Sequence, residues 1–123
     1  MKLMIIDDHA GVRKLIGQMI ATPGDILREC ASGDEAVRLA PEFRPDCVTL
    51  DIQMPGLCAL ETARAIRALH PEVRIIIVSG YDRTDLHRIA AEAGTDGYVA
   101  KENLGELHCL FASARLGLQP ELI

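Results

Sequence analysis

Reactive side chains directly follow short aliphatic runs in this sequence of 123 residues. Asp7 and Asp8 follow the first run, and Asp51 follows the third. Ser79 follows the fourth run, and Lys101 follows the fifth. Carboxylate oxygens are ligands for hard divalent cations such as Mg²⁺. A hydroxyl and an ammonium can hold phosphoryl oxygens, so this set of side chains suits metal-assisted phosphoryl transfer.

The aliphatic runs have the length of strands and alternate with stretches of helical periodicity. The predicted strands are Lys2–Ile6, Asp25–Cys30, Cys47–Leu50, Arg74–Val78 and Gly97–Ala100. Apolar residues at helical spacing predict helices around 12–20, 36–43, 86–93 and 107–114, and a fifth over 59–70. Strict alternation of strand and helix predicts right-handed crossovers and a doubly wound α/β sandwich. We expect a flavodoxin-like (βα)5 fold with a five-stranded parallel sheet in the order 2-1-3-4-5.

Local signals mark the ends of the predicted helices. Ser32 and Glu35 have the spacing of a capping box, and Asn103 with Glu106 is a close variant. Prolines after Thr22, Arg44 and His70 end helices, because the residue before a proline avoids helical geometry. Internal repeats and interior linkers are lacking in the sequence. We therefore expect one domain over residues 1–117, followed by a tail or linker over 118–123.

Composition and charge exclude several classes of protein. The net charge of −5 argues against a nucleic-acid contact by this domain. The aliphatic runs are far shorter than the roughly 18 residues of a membrane span, and the amino terminus lacks the pattern of a signal peptide. The four cysteines, Cys30, Cys47, Cys58 and Cys109, have no ligand-like or paired spacing. We expect reduced thiols in a cytoplasmic protein without a membrane contact.

The reactive side chains are expected to converge at one edge of the sheet. In a parallel sheet the carboxyl ends of the strands form the ligand crevice. Like charges close together raise the pKa of one another, and a bound Mg²⁺ would resolve that conflict. Each residue also has an ordinary interpretation: Asp7 and Asp8 as helix caps, Lys101 as a solvated lysine, and Ser79 as a strand-end hydroxyl. Their joint placement favours the chemical interpretation.

Four segments of the chain, in order and in register, resemble receiver domains of bacterial two-component response regulators. LMIIDDHAGVR resembles the opening segment and VTLDIQMPG the phosphoacceptor loop. VRIIIVSGYD resembles the fourth strand with its signalling hydroxyl, and AGTDGYVAK the closing segment with an aromatic residue and a lysine. The resemblance extends from about Lys2 to Leu116, which is nearly the whole chain.

The resemblance implies a role for each residue of the set. Asp51 is the implied phosphoacceptor, with Lys101 and Ser79 on the phosphoryl oxygens and Tyr98 as the switch aromatic. The implied Mg²⁺ ligands are Asp8, Asp51 and the backbone carbonyl of Gln53, with Asp7 acting through water. The implied donor is a histidine kinase or a phosphotransfer protein, and phosphorylation would change the surface of the fourth helix, fifth strand and fifth helix. Such a domain catalyses only its own phosphorylation and dephosphorylation and is not otherwise an enzyme.

One loop departs from the family pattern. After the turn implied by Met54-Pro55, the family commonly has an acidic or amide residue and then glycine, whereas this chain reads Gly56-Leu57-Cys58-Ala59. Glycine permits backbone angles that other residues resist. The loop is therefore expected to have a shape of its own.

Two segments, DDHAGVR and MPGLCALETARAIR, resemble the branch of LuxR/NarL-type transcriptional regulators. The resemblance implies a helix-turn-helix output domain, which the sequence does not contain, and dimerisation on phosphorylation. A stand-alone receiver that acts as a phosphorelay intermediate or phosphate sink is the alternative. A flavodoxin-like electron carrier is disfavoured by 3% aromatic residues, and a haloacid-dehalogenase-like phosphatase by Gln53 in place of a second aspartate. A degenerate receiver is disfavoured by the complete set of reactive residues.

Overall fold

The computed structural model describes residues 1–53, 58–80 and 84–117, over which five strands alternate with five α-helices. The strands are β1 (Lys2–Ile6), β2 (Ile26–Cys30), β3 (Cys47–Asp51), β4 (Arg74–Ser79) and β5 (Gly97–Ala100). The helices are α1 (Ala10–Ile20), α2 (Gly33–Phe43), α3 (Ala59–Leu69), α4 (Thr84–Glu92) and α5 (Gly105–Arg115). A short 3-10 helix over Lys101–Asn103 joins β5 to α5.

All five strands are parallel and lie in the order β2-β1-β3-β4-β5, which confirms the predicted fold class. In the central strand, Leu50 lies beside Ile6 of β1 and Ile77 of β4. The edge strand β2 is different, because Ile26 and Leu27 are 55% and 41% exposed. A strand with one neighbour buries less of its surface than a central strand.

Two apolar cores lie on opposite faces of the sheet. One packs Met4, Ile6, Leu50 and Ile77 against helices α2, α3 and α4. The other packs alternate residues of the same strands, such as Ile5 and Val78, against helices α1 and α5. Burial on both faces explains why β1, β3 and β4 are continuous aliphatic runs in the sequence.

Several predicted boundaries have a visible physical cause. The side-chain oxygen of Ser32 accepts a hydrogen bond from the backbone N–H of Glu35 at 3.2 Å and caps α2, as predicted. The same helix ends at Arg44, which has a left-handed φ of 55° and precedes a proline. Helix α3 ends where the sequence places His70 before Pro71.

Two expectations about boundaries were wrong. The strand β2 begins at Ile26 and not at Asp25, because the carboxylate of Asp25 accepts hydrogen bonds from the backbone N–H and the hydroxyl of Thr22 in the preceding turn. Asn103 does not cap α5, because it lies within the 3-10 helix, and Leu104 occupies the cap position without a side-chain hydrogen bond.

Candidate functional site

The register of the sheet brings the predicted residues to one edge. Asp7 directly follows β1, and Asp51 is the last residue of β3. Ser79 ends β4 beside Ala100, so that the next residue, Lys101, begins at the same level of the sheet. Because the strands are parallel, all of these positions lie at carboxyl ends, as expected.

The carboxylates of this edge form a cluster with one imidazole. Asp7 and Asp51 are buried, whereas Asp8 and His9 are exposed. One potential ligand atom from each of the four residues lies within 4.8 Å of the others. The convergence of Asp7, Asp8 and Asp51 confirms that the chain has an acidic pocket with the donor atoms of a cation site.

The ammonium of Lys101 lies between the two buried carboxylates. Its Nζ is 3.2 Å from Oδ2 of Asp7 and 3.3 Å from Oδ2 of Asp51. The lysine side chain is partly buried, so bulk water screens its charge only in part. Lys101 is therefore a counter-ion of the pocket and not a solvated surface lysine.

The other oxygen of each buried carboxylate is held by the backbone. Oδ1 of Asp7 accepts from the N–H of His9 at 2.9 Å, and Oδ1 of Asp51 accepts from the N–H of Gln53 at 3.0 Å. These are local turns of the loops that follow β1 and β3. Helix α1 begins after His9 without a side-chain cap, so the interpretation of Asp7 as a helix cap does not hold.

Burial and the nearby charges shift the pKa values of two residues in the pocket, Asp51 and Lys101. Burial raises the pKa of Asp51, and the nearby charge of Asp7 raises it further, against the lowering by the Gln53 N–H and Lys101. For Lys101, burial alone lowers the pKa, but the carboxylates of Asp51 and Asp7 outweigh it and raise the pKa above its usual value. The lysine is thus firmly charged, whereas ionisation of Asp51 has a free-energy cost that a further cation would offset.

One residue near the pocket, Arg13, was not expected from the sequence. Nη1 of Arg13 donates to the backbone carbonyl of Asp7 at 2.7 Å, and its Nε donates to Glu29 at 2.9 Å. This arginine ties the loop after β1 to strand β2. His9 directly follows Asp7 and Asp8 in the sequence, where no role was assigned to it, and the structure places its imidazole among the carboxylates.

The predicted switch residues, Ser79 and Tyr98, lie on β4 and β5, the two strands that lead to Lys101 and the pocket. Ser79 is completely buried at the end of β4. Tyr98 is half-buried on β5, and its ring stacks on that of His87 in α4, with ring centroids 3.9 Å apart and planes inclined by 25°. The stack joins α4 to β5, two of the three elements whose surface was expected to change.

Part of the predicted site lies outside the described residues. The turn at Met54-Pro55, the altered loop positions Gly56 and Leu57, and the tail 118–123 belong to this part. Of the loop that departs from the family pattern, Cys58 is described, and it precedes the first residue of α3.

All four cysteines lie in the described ranges as free thiols. Cys30 and Cys47 are buried, and burial raises the pKa of each thiol to about 11, so both stay protonated near neutral pH. Cys58 and Cys109 are exposed. Over the same ranges, the helices are too short or too polar to cross a membrane.

The chain matches the family model of the response regulator receiver domain over residues 3–111. It is similar to the transcriptional regulatory protein YdfI of Bacillus subtilis (strain 168), with 34% identity over 128 residues. That alignment covers 99% of this chain and 60% of the relative, so the chain spans three fifths of the relative's length.

Solved structures share the fold. A two-component response regulator of the LuxR family from Aurantimonas sp. SI85-9A1 has a TM-score of 0.84 and 32% identity, covering 96% of this chain and 86% of that chain. A response regulator protein from Burkholderia pseudomallei has a TM-score of 0.80 and 23% identity, covering 94% of this chain and 69% of that chain. The latter structure contains a phosphorylated aspartic acid, a calcium ion and citrate.

Proposed function

Because the chain belongs to the family of response regulator receiver domains, we propose that it is a signalling switch that accepts a phosphoryl group on Asp51. The donor is a histidine kinase or a phosphotransfer protein of a two-component system. The observation that carries this proposal is the meeting of two buried carboxylates, Asp7 and Asp51, with the ammonium of Lys101 at one sheet edge. An ordinary surface would not hold these charges in a buried position.

The donor set of the pocket fits Mg²⁺. When Asp7, Asp8 and Asp51 are ionised, one ammonium leaves two negative charges without compensation, which a divalent cation matches. Oδ2 of Asp7 is buried and accepts no hydrogen bond within the described residues, although Lys101 lies nearby. Hard oxygen donors of this kind suit Mg²⁺. We propose that Asp8, Asp51 and the Gln53 carbonyl would hold the ion directly and that Asp7 would act through water.

The chain's own residues account for most of the transfer step. A carboxylate oxygen of Asp51 attacks phosphorus while the bond from phosphorus to the donor nitrogen breaks, and an acyl phosphate results. The Gln53 N–H fixes the orientation of the attacking carboxylate before the donor arrives. Lys101 then holds a phosphoryl oxygen, because its ammonium already lies 3.3 Å from Oδ2 of Asp51. Bound Mg²⁺ supplies charge neutralisation of the phosphoryl oxygens.

The signal would leave the pocket through Ser79 and Tyr98. The hydroxyl of Ser79 would donate a hydrogen bond to a new phosphoryl oxygen, and the end of β4 would move inward. Tyr98 then leaves the ring of His87, and the surface of α4, β5 and α5 changes. A few charge-assisted hydrogen bonds at roughly 1.5–3 kcal/mol each would supply the about 5.5 kcal/mol that switches a population from mostly off to mostly on.

The output is proposed to be transcription. Similarity to a transcriptional regulator, of which the chain spans three fifths, supports a DNA-binding helix-turn-helix in the parent protein, with dimerisation of receivers on phosphorylation. The receiver itself carries a net charge of −5 and is not expected to bind DNA. Its only catalysis would be its own phosphorylation and dephosphorylation, in the cytoplasm.

The test is phosphorylation by a small phosphodonor, read by intact-protein mass spectrometry. With Mg²⁺ we expect one phosphoryl group on the wild-type chain and none on Asp51→Asn, which keeps the shape but lacks the nucleophilic carboxylate. Asp34→Asn, at the exposed start of α2, is the matched control and should be phosphorylated normally. Undiminished phosphorylation of Asp51→Asn would show that the acceptor has been misassigned.

A further inference from the structure

The imidazole of His9 lies among the carboxylates of the cation pocket. Its Nδ1 is 3.0 Å from Oδ1 of Asp8 and 3.4 Å from Oδ1 of Asp7. The four potential ligand atoms, including the one from Asp51, lie within 4.8 Å of one another. His9 therefore adds one nitrogen to a donor set that otherwise consists of carboxylate oxygens.

The two distances from Nδ1 of His9 match those between ligands around one ion. With metal–ligand bonds of about 2.1 Å, two ligands lie about 3.0 Å apart at right angles and about 3.4 Å apart at tetrahedral angles. The His9 side chain is 68% exposed, so its ring can adjust around a bound ion without disturbing the core. The backbone N–H of His9 donates to Asp7 and holds the two residues together.

A simple surface ion pair would explain only part of this geometry. Such a pair between His9 and the exposed Asp8 would contribute little to stability. The same nitrogen, however, also approaches Oδ1 of Asp7, a buried carboxylate whose Oδ2 accepts no hydrogen bond in the described chain and lies 3.2 Å from the ammonium of Lys101. A buried carboxylate oxygen that accepts no hydrogen bond, in a cluster that an exposed imidazole joins, indicates a ligand set.

We infer that His9 is a specificity-determining residue of the cation pocket, and that it extends binding from Mg²⁺ to first-row transition-metal ions such as Co²⁺ and Zn²⁺. The inference rests on the proposed function, because it takes Asp7, Asp8 and Asp51 as the cation site. Imidazole nitrogen is a good ligand for transition ions, whereas Mg²⁺ takes oxygen and water. Loss of His9 therefore weakens the binding of Co²⁺ much more than that of Mg²⁺.

The test is isothermal titration of the chain with MgCl₂ and, separately, with CoCl₂. We expect His9→Ala and His9→Asn to weaken Co²⁺ binding about tenfold or more, equivalent to about 1.4 kcal/mol, and to change Mg²⁺ binding by less than about twofold. His108→Ala removes an exposed histidine of α5 and should change neither affinity. A long-range ¹H–¹⁵N correlation spectrum of the Zn²⁺-loaded wild-type chain should show a shifted Nδ1 resonance of His9.

Two results would overturn the inference. Equal weakening of Co²⁺ and Mg²⁺ binding in the His9 variants would mean that His9 only shapes the loop, and unchanged Co²⁺ binding would mean that it is not a ligand. Failure of the proposed function gives a different result. Mg²⁺ then binds neither wild type nor His9→Ala, or it binds Asp8→Asn as tightly as wild type. The Co²⁺ comparison between wild type and His9→Ala decides the role of His9 in either case.

Discussion

Asp25 and Arg115, which are 90 positions apart, are joined by two hydrogen bonds. Asp25 directly precedes β2, so the pair lies at the amino end of that strand, away from the pocket. Nη1 of Arg115 lies 3.0 Å from Oδ1 of Asp25, and Nη2 lies 2.5 Å from Oδ2. Nη2 also donates to the backbone carbonyl of Ile20 at 3.1 Å. The arginine thus fastens the last turn of α5 to the turn between α1 and β2.

We predict that Asp25→Asn lowers the free energy of unfolding by about 2 kcal/mol at pH 7, because charged hydrogen bonds to a buried carboxylate are lost. The pairing with Arg115 holds the pKa of Asp25 well below its usual range. The stabilisation is therefore complete above the pKa of the unfolded chain, near 4, and is lost as the pH falls further toward the folded pKa. Urea titrations should show a smaller loss of stability on acidification in Asp25→Asn than in wild type.

The exposed Glu42→Gln variant of α2 is the control for this acid effect. It should follow the wild-type pH dependence, since Glu42 lies on the surface. Identical pH dependence of wild type and Asp25→Asn would contradict a special role for the Asp25–Arg115 pair.

The pocket itself is predicted to destabilise the chain when no cation is bound. Burial and the charge of Asp7 raise the pKa of Asp51, so the folded chain loses stability as the pH rises through that pKa. In metal-free buffer at pH 7, Asp51→Asn should therefore be more stable than wild type by about 1 kcal/mol. The difference should shrink toward pH 4 and on addition of Mg²⁺ to both proteins.

Urea denaturation in the presence of a chelator measures this difference. Asp34→Asn again serves as the control and should show no gain. A lower stability of Asp51→Asn at neutral pH would mean that the carboxylate is well compensated by Lys101 alone.

Lys101→Met should change cation binding and phosphorylation in opposite directions. Removal of the ammonium next to Asp7 and Asp51 leaves more negative charge in the pocket, so Mg²⁺ should bind about fivefold more tightly. Phosphorylation by a small donor should slow by about 100-fold, because a preorganised positive group no longer holds the phosphoryl oxygens. Calorimetry and mass spectrometry measure the two effects separately, and Lys14→Met on the exposed face of α1 is the control. Parallel changes would place Lys101 outside the transfer step.

The sequence predicted the convergence of Asp51, Asp7 and Lys101 because strand ends alone determine it. A parallel sheet with short connections brings the residues after its strands to one edge, and aliphatic runs reveal where the strands end. The bonds of Arg13 and Arg115 could not be predicted in the same way. They depend on how helices rotate and pack against neighbouring loops, and single sequence positions do not specify that rotation.

The same limit applies to the stack of Tyr98 on His87, which gives the last prediction. Tyr98 was expected to move on phosphorylation, and the structure adds that such a movement must break the contact between rings 3.9 Å apart. Aromatic pairs of this kind contribute about 0.5–1.5 kcal/mol. His87→Ala should therefore lower the free-energy cost of moving Tyr98 and tighten beryllofluoride binding with Mg²⁺ by about twofold to tenfold. His108→Ala, on α5, is the control. NMR should show that beryllofluoride shifts the ring resonances of Tyr98 and the amides of α4 in wild type. If Tyr98 and His87 stay in contact in the beryllofluoride state, the signal does not leave the pocket through this pair.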